Sequence, residues 1–452
     1  MYAVRARACF DGERFVAGGA TVLVDRGRII GVEAAAYDLP ADCALHDHGD
    51  ATVLPGLIDT HAHLVADSGP MALDRVAGYS DEEIEAVVTE ALRRHLAAGV
   101  TMVRDLGDRN FNVVERRDAQ RARDDGLPWI VASGPPITTP RGHCWYLGGE
   151  AAGADELHAA VRQRVERRVD VVKVMASGGI NTPDTDIYAP QFALEDLRLL
   201  VDAAHVAGLA VTAHAHAALA IDQAVAVGTD GLEHAGFLRQ SGNAAAPGLA
   251  ALRDITASEA QLRALADSGM AVCPTVGGFT VAALRRAPEA LQQRMREAGV
   301  TPEELVEKRQ GLAKRMHAAG VRLVGGADAG IGPNKAHGLY AESIVELAAA
   351  TGVVDSLAAS TSIAAQVCRL ILYKGVVTRL APPVRVGTDD QLVRCGTEKG
   401  IGVHIACGGK GGGCQQEEGG ERQYAGHGNP SSGGKRSAGV GDAAECRGAV
   451  AG

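Results

Sequence analysis

Several features that would assign this chain to a familiar class are missing from its sequence. The nine cysteines include no CxxC pair, which argues against both a disulfide framework and a cysteine-bound zinc site. No uninterrupted apolar run reaches the length of about 18 residues that a membrane-spanning helix needs. The first ten residues contain Arg5 and Arg7 but lack the apolar stretch of a secretory signal. We therefore expect a cytoplasmic protein that does not enter a membrane.

The charge balance excludes a further class of protein. A net charge of −10 argues against a surface that binds nucleic acid and says nothing else about the substrate; on the motifs described below we expect a small-molecule substrate as the partner. Hydrophobic residues make up 46% of the 452-residue chain and charged residues 22%, which is typical of a globular protein. A chain of this length is expected to form one large domain and a smaller one. The sequence is compatible with a homo-oligomer.

Residues 1–55 have the pattern of short strands separated by turns. Asp11-Gly12 is a typical turn, and the apolar segments 21–24 and 28–32 predict strands. We interpret this region as the N-terminal part of a small β-sandwich, because it is too short to bury a core without partner strands. His46-Asp47-His48 lies here among polar residues, so we interpret it as a solvated turn.

From residue 56 to residue 368 the pattern changes to alternating strands and amphipathic helices. Several predicted helices end in a glycine that directly precedes the next strand, as Gly99 and Gly208 do. Eight such units favour an α/β fold, a (β/α)8 TIM barrel. An open, doubly wound sheet is the alternative, but no GxGxxG segment follows the first strand. The predicted strands are 56–58, 101–103, 129–132, 169–175, 210–212, 231–232, 271–273 and 322–324.

Residues with metal-binding side chains lie at the ends of these predicted strands. His61 and His63 are two residues apart, so in a strand they face the same side and can bind one metal ion. An isolated pair of this kind is more often two polar residues at a strand end. Because the carboxyl ends of barrel strands meet at one face, we expect the later strand ends to supply partners. These partners are Lys173, His214, His234 and Asp328.

The combined pattern resembles the amidohydrolase superfamily of metal-dependent hydrolases. Within it, the chain is similar to the imidazolonepropionase-related and Xaa-Pro dipeptidase-like branch. The resemblance extends from about residue 1 to residue 368. It is carried by Pro55–His63, Gly99–Asp105, Lys173 with 176–179, His214–His216, Glu233-His234 and Asp328–Gly330.

The resemblance implies two divalent metal ions, usually zinc. His61, His63 and Asp328 would bind the more buried ion, whereas His214 and His234 would bind the second. By spacing alone, His216 could replace His214 as the ligand, since both face the same side of the strand.

The resemblance also implies that Lys173 bridges the two ions as a carbamate formed with carbon dioxide. A carbamate would explain a lysine within an apolar strand, where an unpaired ammonium is costly; a buried lysine paired with a carboxylate is the alternative. The family mechanism is attack on an amide carbonyl by a metal-bridging hydroxide. Asp328 would take the proton of that group and pass it to the leaving amine.

Residues that contact the substrate are harder to assign from the sequence. Arg141 and His143 follow the third strand in a glycine-histidine loop and are candidates to bind a substrate carboxylate. The alternative is an ordinary surface loop. Tyr188 after the fourth strand, His216 beside His214, and His337 after the eighth strand are further candidates.

The segment 369–452 departs from the family pattern. Of its last 57 residues, 18 are glycine, and the apolar periodicity disappears. Such a segment cannot bury enough surface to offset its ordering entropy, so we expect a disordered tail. We hypothesise a frame shift near residue 370, which would remove the strands that complete the N-terminal sandwich.

The sequence therefore predicts a binuclear metal-dependent amidohydrolase that cleaves an amide bond in a small substrate, such as a dipeptide or an N-acyl amino acid. One alternative is a cyclic-amide hydrolase of the imidazolonepropionase or hydantoinase type. Another is a catalytically impaired barrel that serves as a scaffold. Ring and linear amides undergo the same attack, so only the loops would separate the two enzymes.

Overall fold

The computed structural model of the chain describes residues 1–182, 184–240, 254–278, 280–285, 287, 289–368, 391–395 and 403–407. These residues all belong to one unit of the chain, Met1–Gly408. The predictions for the tail, including its disorder and the frame shift, concern 369–452, most of which lies outside the described residues. Two strands of that segment are described, β16 (Gln391–Cys395) and β17 (Val403–Cys407), and they pair antiparallel.

The N-terminal residues form two small sheets. Four strands pair in the order β5-β4-β1-β6, and three pair in the order β3-β2-β7. Apolar side chains from several of these strands, among them Val4, Val22 and Val53, are buried together in a small core. That these sheets are half of a sandwich stays a prediction. The strands are β1 (Tyr2–Ala6), β2 (Ala8–Phe10), β3 (Phe15–Val16), β4 (Ala20–Asp25), β5 (Arg28–Ala34), β6 (Ala44–Asp47) and β7 (Thr52–Val53).

The prediction of a turn at His46 is wrong. His46 lies in strand β6, because its backbone pairs with that of Val4 in the neighbouring strand β1. The expected exposure to solvent is confirmed, since all four residues of β6 are exposed.

All eight strands predicted for residues 56–368 are present, and they pair parallel in chain order. They form a sheet of three strands and a sheet of five. A bridge between Ile137 and Val174 joins the segment after the third strand to the fourth strand, and a bridge between Ala62 and Ala329 joins the first strand to the segment after the eighth. This pairing order is the one expected of a (β/α)8 barrel. The strands are β8 (Leu57–Ala62), β9 (Val100–Asp105), β10 (Trp129–Ala132), β11 (Val171–Met175), β12 (Ala210–Ala217), β13 (Gly231–Leu238), β14 (Ala271–Cys273) and β15 (Arg322–Leu323).

Helices alternate with these strands and pack against them through apolar faces. In α2, Ile84, Val88 and Leu92 recur at the spacing of one helix face and are buried. Ser80 caps the same helix with a reciprocal pair of hydrogen bonds to Glu83. The helices are α1 (Ala72–Arg75), α2 (Asp81–Ala97), α3 (Asn112–Ala122), α4 (Gly153–Glu166), α5 (Leu194–Val206), α6 (Ala218–Val227), α7 (Glu259–Asp267), α8 (Val281–Arg285), α9 (Glu289–Glu297), α10 (Pro302–Ala318), α11 (Tyr340–Thr351), α12 (Val353–Ala359) and α13 (Ser362–Val367).

Apolar side chains of strands and helices fill the interior of the molecule. Leu197, Leu232 and Leu262 are fully buried in the largest cluster, which joins α5, β13 and α7. Burying one such side chain stabilises the fold by about 1.5–3 kcal/mol. Among the described residues, no helix has both the length and the apolarity needed to cross a bilayer.

Candidate metal centre

The first group of metal-binding side chains joins the first and eighth strands. His61 and His63 are buried at the end of β8, and Asp328 follows β15, the strand that lies beside β8. The Asp328 backbone N–H donates to the His61 carbonyl oxygen at 2.7 Å. The Asp328 Oδ1 atom lies 3.4 Å from the Nε2 atoms of both histidines. Donors around a tetrahedral ion at about 2.1 Å are roughly 3.4 Å apart, so this group fits a metal ion.

The second group comes from strands β12 and β13. His214 and His234 have ring centroids 4.6 Å apart, and the ring of His216 lies 4.8 Å from each of them. One possible ligand atom from each of the three lies within 4.8 Å of the other two. The His234 ring is also 5.1 Å from that of His61, so the two groups are adjacent.

Lys173 lies in β11, where every residue is buried. Its side chain is 1% exposed, and its Nζ has no hydrogen-bond partner in the part of the chain that the structure describes. Burial lowers the pKa of the amine, although the nearby Glu233 and Asp328 oppose that shift. A buried amine without a partner is costly, and conversion to an anionic carbamate that binds metal would remove this cost.

Burial also controls the charge of the other side chains. It lowers the pKa of His61 to about 4, with a contribution from Lys173, and it lowers the pKa of His214 and His234 well below the usual range. These imidazoles are therefore neutral near pH 7 and can offer a lone pair to a metal. Burial would raise the pKa of Asp328, but Lys335 and His61 outweigh it and hold the pKa well below its usual value. Asp328 is therefore an anion.

Backbone strain is concentrated at the same strand ends. His234, Thr275 and Asp328 have φ angles of 69°, 47° and 57°, in the left-handed region that non-glycine residues rarely adopt. Such conformations typically cost about 1–3 kcal/mol each and persist where the surroundings enforce them. The His234 Nδ1 atom lies 2.8 Å from the Thr275 Oγ1 atom, so one of these strained residues orients another.

The structure places two residues at this site to which the sequence assigned no role. Lys335 is buried in a short 3-10 turn and donates from Nζ to Asp328 Oδ2 at 3.1 Å and to the Thr275 carbonyl oxygen at 3.3 Å. Glu233, fully buried on β13, lies beside His61. Glu233 belongs to the segments that carry the family resemblance, whereas Lys335 follows no periodic pattern that would single it out.

The predicted substrate contacts fall into two groups. The His143 ring is buried and lies 4.5 Å from that of His214, with its Nδ1 atom 2.8 Å from the Thr182 Oγ1 atom. Arg141 is exposed, and its guanidinium lies over the ring of Trp145 at 4.4 Å. His143 therefore belongs to the cluster, whereas Arg141 lies on the rim of its loop.

The other predicted substrate contacts, Tyr188, His337 and His216, differ in whether their polar atoms already have hydrogen-bond partners in the protein. The Tyr188 hydroxyl donates to Asp254 at 2.8 Å. The ring nitrogens of His337 lie 3.1 Å from His95 and 2.8 Å from the Ala66 carbonyl oxygen. The buried His216 differs, since its Nδ1 atom has no hydrogen-bond partner among the described residues. Of these three predicted contacts, His216 is the one that the structure brings into the histidine cluster.

The fold and the donor groups define an α/β protein with a candidate metal centre at the carboxyl ends of its strands. The amidohydrolase family model matches residues 52–379, and the chain belongs to this family. Ochratoxinase of Aspergillus niger is 27% identical over 248 residues, which are 48% of this chain and 50% of that protein. The chain therefore spans about half the length of the curated relatives it matches.

Solved structures show the same fold. A Xaa-Pro dipeptidase with bound methionine is 22% identical, with a TM-score of 0.66 over 82% of this chain and 89% of its own. A prolidase complexed with N-methylphosphonate-L-proline is 24% identical, with a TM-score of 0.64 over 87% and 92% of the two chains. At these identities the likeness concerns the fold.

Proposed function

We propose that this protein is a binuclear metal-dependent amidohydrolase that cleaves an amide bond in a small substrate, such as a dipeptide or an N-acyl amino acid. One observation carries the proposal: two groups of buried donors and an unpartnered buried lysine meet at the same strand ends. A metal-free scaffold would have no reason to keep the Lys173 amine unpaired in its interior. The proposed ligands are His61, His63, Lys173, His214, His234 and Asp328.

In the proposed reaction, the bound ions activate the substrate and water, and Asp328 transfers the proton. When bound, two divalent ions, with zinc as the first choice, would polarise the amide carbonyl and lower the pKa of a water. Asp328 is an anion beside His61 and His63 and would accept the proton of the attacking water. Lys335 donates to Asp328 Oδ2, which leaves Oδ1 on the side of the histidines. Asp328 would then protonate the leaving amine.

The substrate class rests on relatives and on one nearby side chain. The names of the structural neighbours include a Xaa-Pro dipeptidase and a prolidase bound to a phosphonate analogue that contains proline. A Xaa-Pro dipeptide contains an amide whose leaving amine, proline, carries a carboxylate. In this chain His143 is buried beside His214, where a neutral imidazole N–H could donate to a substrate oxygen.

Two measurements on the purified full-length chain test the proposal. Elemental analysis after expression with zinc and bicarbonate should give about two metal equivalents per chain, whereas a scaffold would bind none. The enzyme should then hydrolyse members of a panel that contains Xaa-Pro dipeptides, other dipeptides and N-acyl amino acids, with hydantoins as the cyclic amides. Turnover of hydantoins alone would support the cyclic-amide alternative, and no metal with no turnover would refute the proposal.

A further inference from the structure

Glu233 is a fully buried carboxylate at the centre of the barrel. It is 0% exposed and lies on β13, directly before His234. Three side chains surround it: the His61 Nδ1 atom lies 2.8 Å from its Oε2, while Arg104 and Thr212 donate to its Oε1 at 2.9 and 2.6 Å. A carboxylate this deep is tolerated because every partner around it is a donor.

Arg104 fixes the carboxylate as an anion. Its Nη2 atom donates to Glu233, and its Nε atom donates to the Thr60 carbonyl oxygen at 2.6 Å. The guanidinium is therefore anchored to strand β8 next to His61 and cannot turn away. An ionised carboxylate accepts hydrogen bonds and donates none, so the His61 nitrogen that faces it must carry a proton.

The position of that proton determines what the other ring nitrogen can do. With the proton on Nδ1, a neutral imidazole has its lone pair on Nε2. The Nε2 atom of His61 is the one that lies 3.4 Å from Asp328 Oδ1. The opposite tautomer would direct an N–H, which cannot bind a cation, at the first group of donors.

We propose that Glu233 is a positioning residue that fixes the tautomer and ring orientation of His61, so that the Nε2 lone pair faces the centre formed with His63 and Asp328. The consequence for metal binding rests on the proposed function, but the tautomer itself does not. Carboxylates behind metal-binding histidines typically change metal affinity by about 10- to 100-fold. The same hydrogen bonds would also be expected of a purely structural ion pair, so the test must separate the two roles.

The first test compares two variants of the full-length protein by chelator competition for bound zinc. Glu233→Gln keeps the volume but removes the charge that fixes the proton, and zinc affinity should fall by about 10- to 100-fold. Thr212→Val is the matched control, since it removes one hydrogen bond from the same carboxylate and leaves its contact with His61. Equal zinc affinities in the Glu233→Gln variant and the unsubstituted protein would overturn the proposal.

The second test needs no variant of Glu233 to fold. Nitrogen-15 NMR of the histidine-labelled protein reports which ring nitrogen of His61 carries the proton, and the His61→Asn variant identifies its signal. We expect a proton on Nδ1, protected from exchange with solvent because both Glu233 and His61 are buried. A proton on Nε2 would refute the proposal even if the protein hydrolyses amides. A proton on Nδ1 in a protein without hydrolase activity would support it and refute the proposed function.

Discussion

Two of the three His-x-His segments in this chain, His46–His48 and His61–His63, have the same spacing and opposite surroundings. His61 and His63 end a buried strand, and each has a ring nitrogen near a protein oxygen in addition to Asp328. His46 and His48 lie in the N-terminal layer, where the strand that contains His46 is exposed. The spacing therefore determines only that two imidazoles can face one side. The neighbouring strands decide whether they meet other donors.

The two histidine pairs also differ in the side chains that contact them. The His46 ring packs edge-on against that of Tyr2 at 5.6 Å, which is a contact with an uncharged aromatic ring. His61, by contrast, is held between Glu233 on one nitrogen and Asp328 on the other. Two-sided polar contacts of this kind are typical of metal-binding histidines.

The largest expected effect comes from replacing Lys173, the residue that we propose to join the two donor groups. In Lys173→Ala we expect loss of bound metal and a fall in amide hydrolysis of about 1000-fold or more, because metal ions supply several kcal/mol of transition-state stabilisation. Metal analysis and steady-state kinetics check this. Lys308→Ala, at an exposed position of α10, is the control and should change neither. Unchanged zinc content and activity in Lys173→Ala would refute the proposed bridging role.

A second substitution pair addresses the two segments directly. His61→Asn with His63→Asn should release about one metal equivalent per chain, since it removes two of three donors from one group. His46→Asn with His48→Asn should leave the metal content unchanged, because the strand that contains His46 is exposed and the His46 ring packs against that of Tyr2. Elemental analysis of both proteins decides the matter. Equal metal loss would mean that the second segment is also a site.

The smallest expected effects concern stability. Leu57 in β8 is fully buried, whereas Leu45 in β6 is 41% exposed. Leu57→Ala should lower the free energy of unfolding by about 2–5 kcal/mol through loss of burial and the cavity that remains. Leu45→Ala should change it by less than about 0.5 kcal/mol. Urea denaturation followed by circular dichroism measures both. Similar losses would show that the N-terminal layer is packed as tightly as the barrel.

Local patterns were enough to predict the eight parallel strands and to place the candidate donor side chains at their ends. The predicted strand 129–132 and the observed β10 coincide, because an apolar run bounded by turn residues is a short-range property. The donors followed from their places at strand ends. The contact of Glu233 with His61 could not be predicted in this way, because it joins residues that are 172 positions apart. The strand at His46 was missed for the same reason, since its pairing with β1 is not encoded locally.

The meeting of the first and last barrel strands has a consequence for the order of folding. Thr60 donates a hydrogen bond to Gly325, 265 positions later in the chain, and the first donor group spans the same seam. A growing polypeptide that ends before residue 328 lacks one of the three donors, so high-affinity capture of the proposed ion would have to await synthesis of Asp328. Contacts of such long range form slowly, and the proposed ion, if it binds only after β8 and β15 have met, would favour the folded chain over its precursors. Metal uptake is therefore expected to report on closure of the ring.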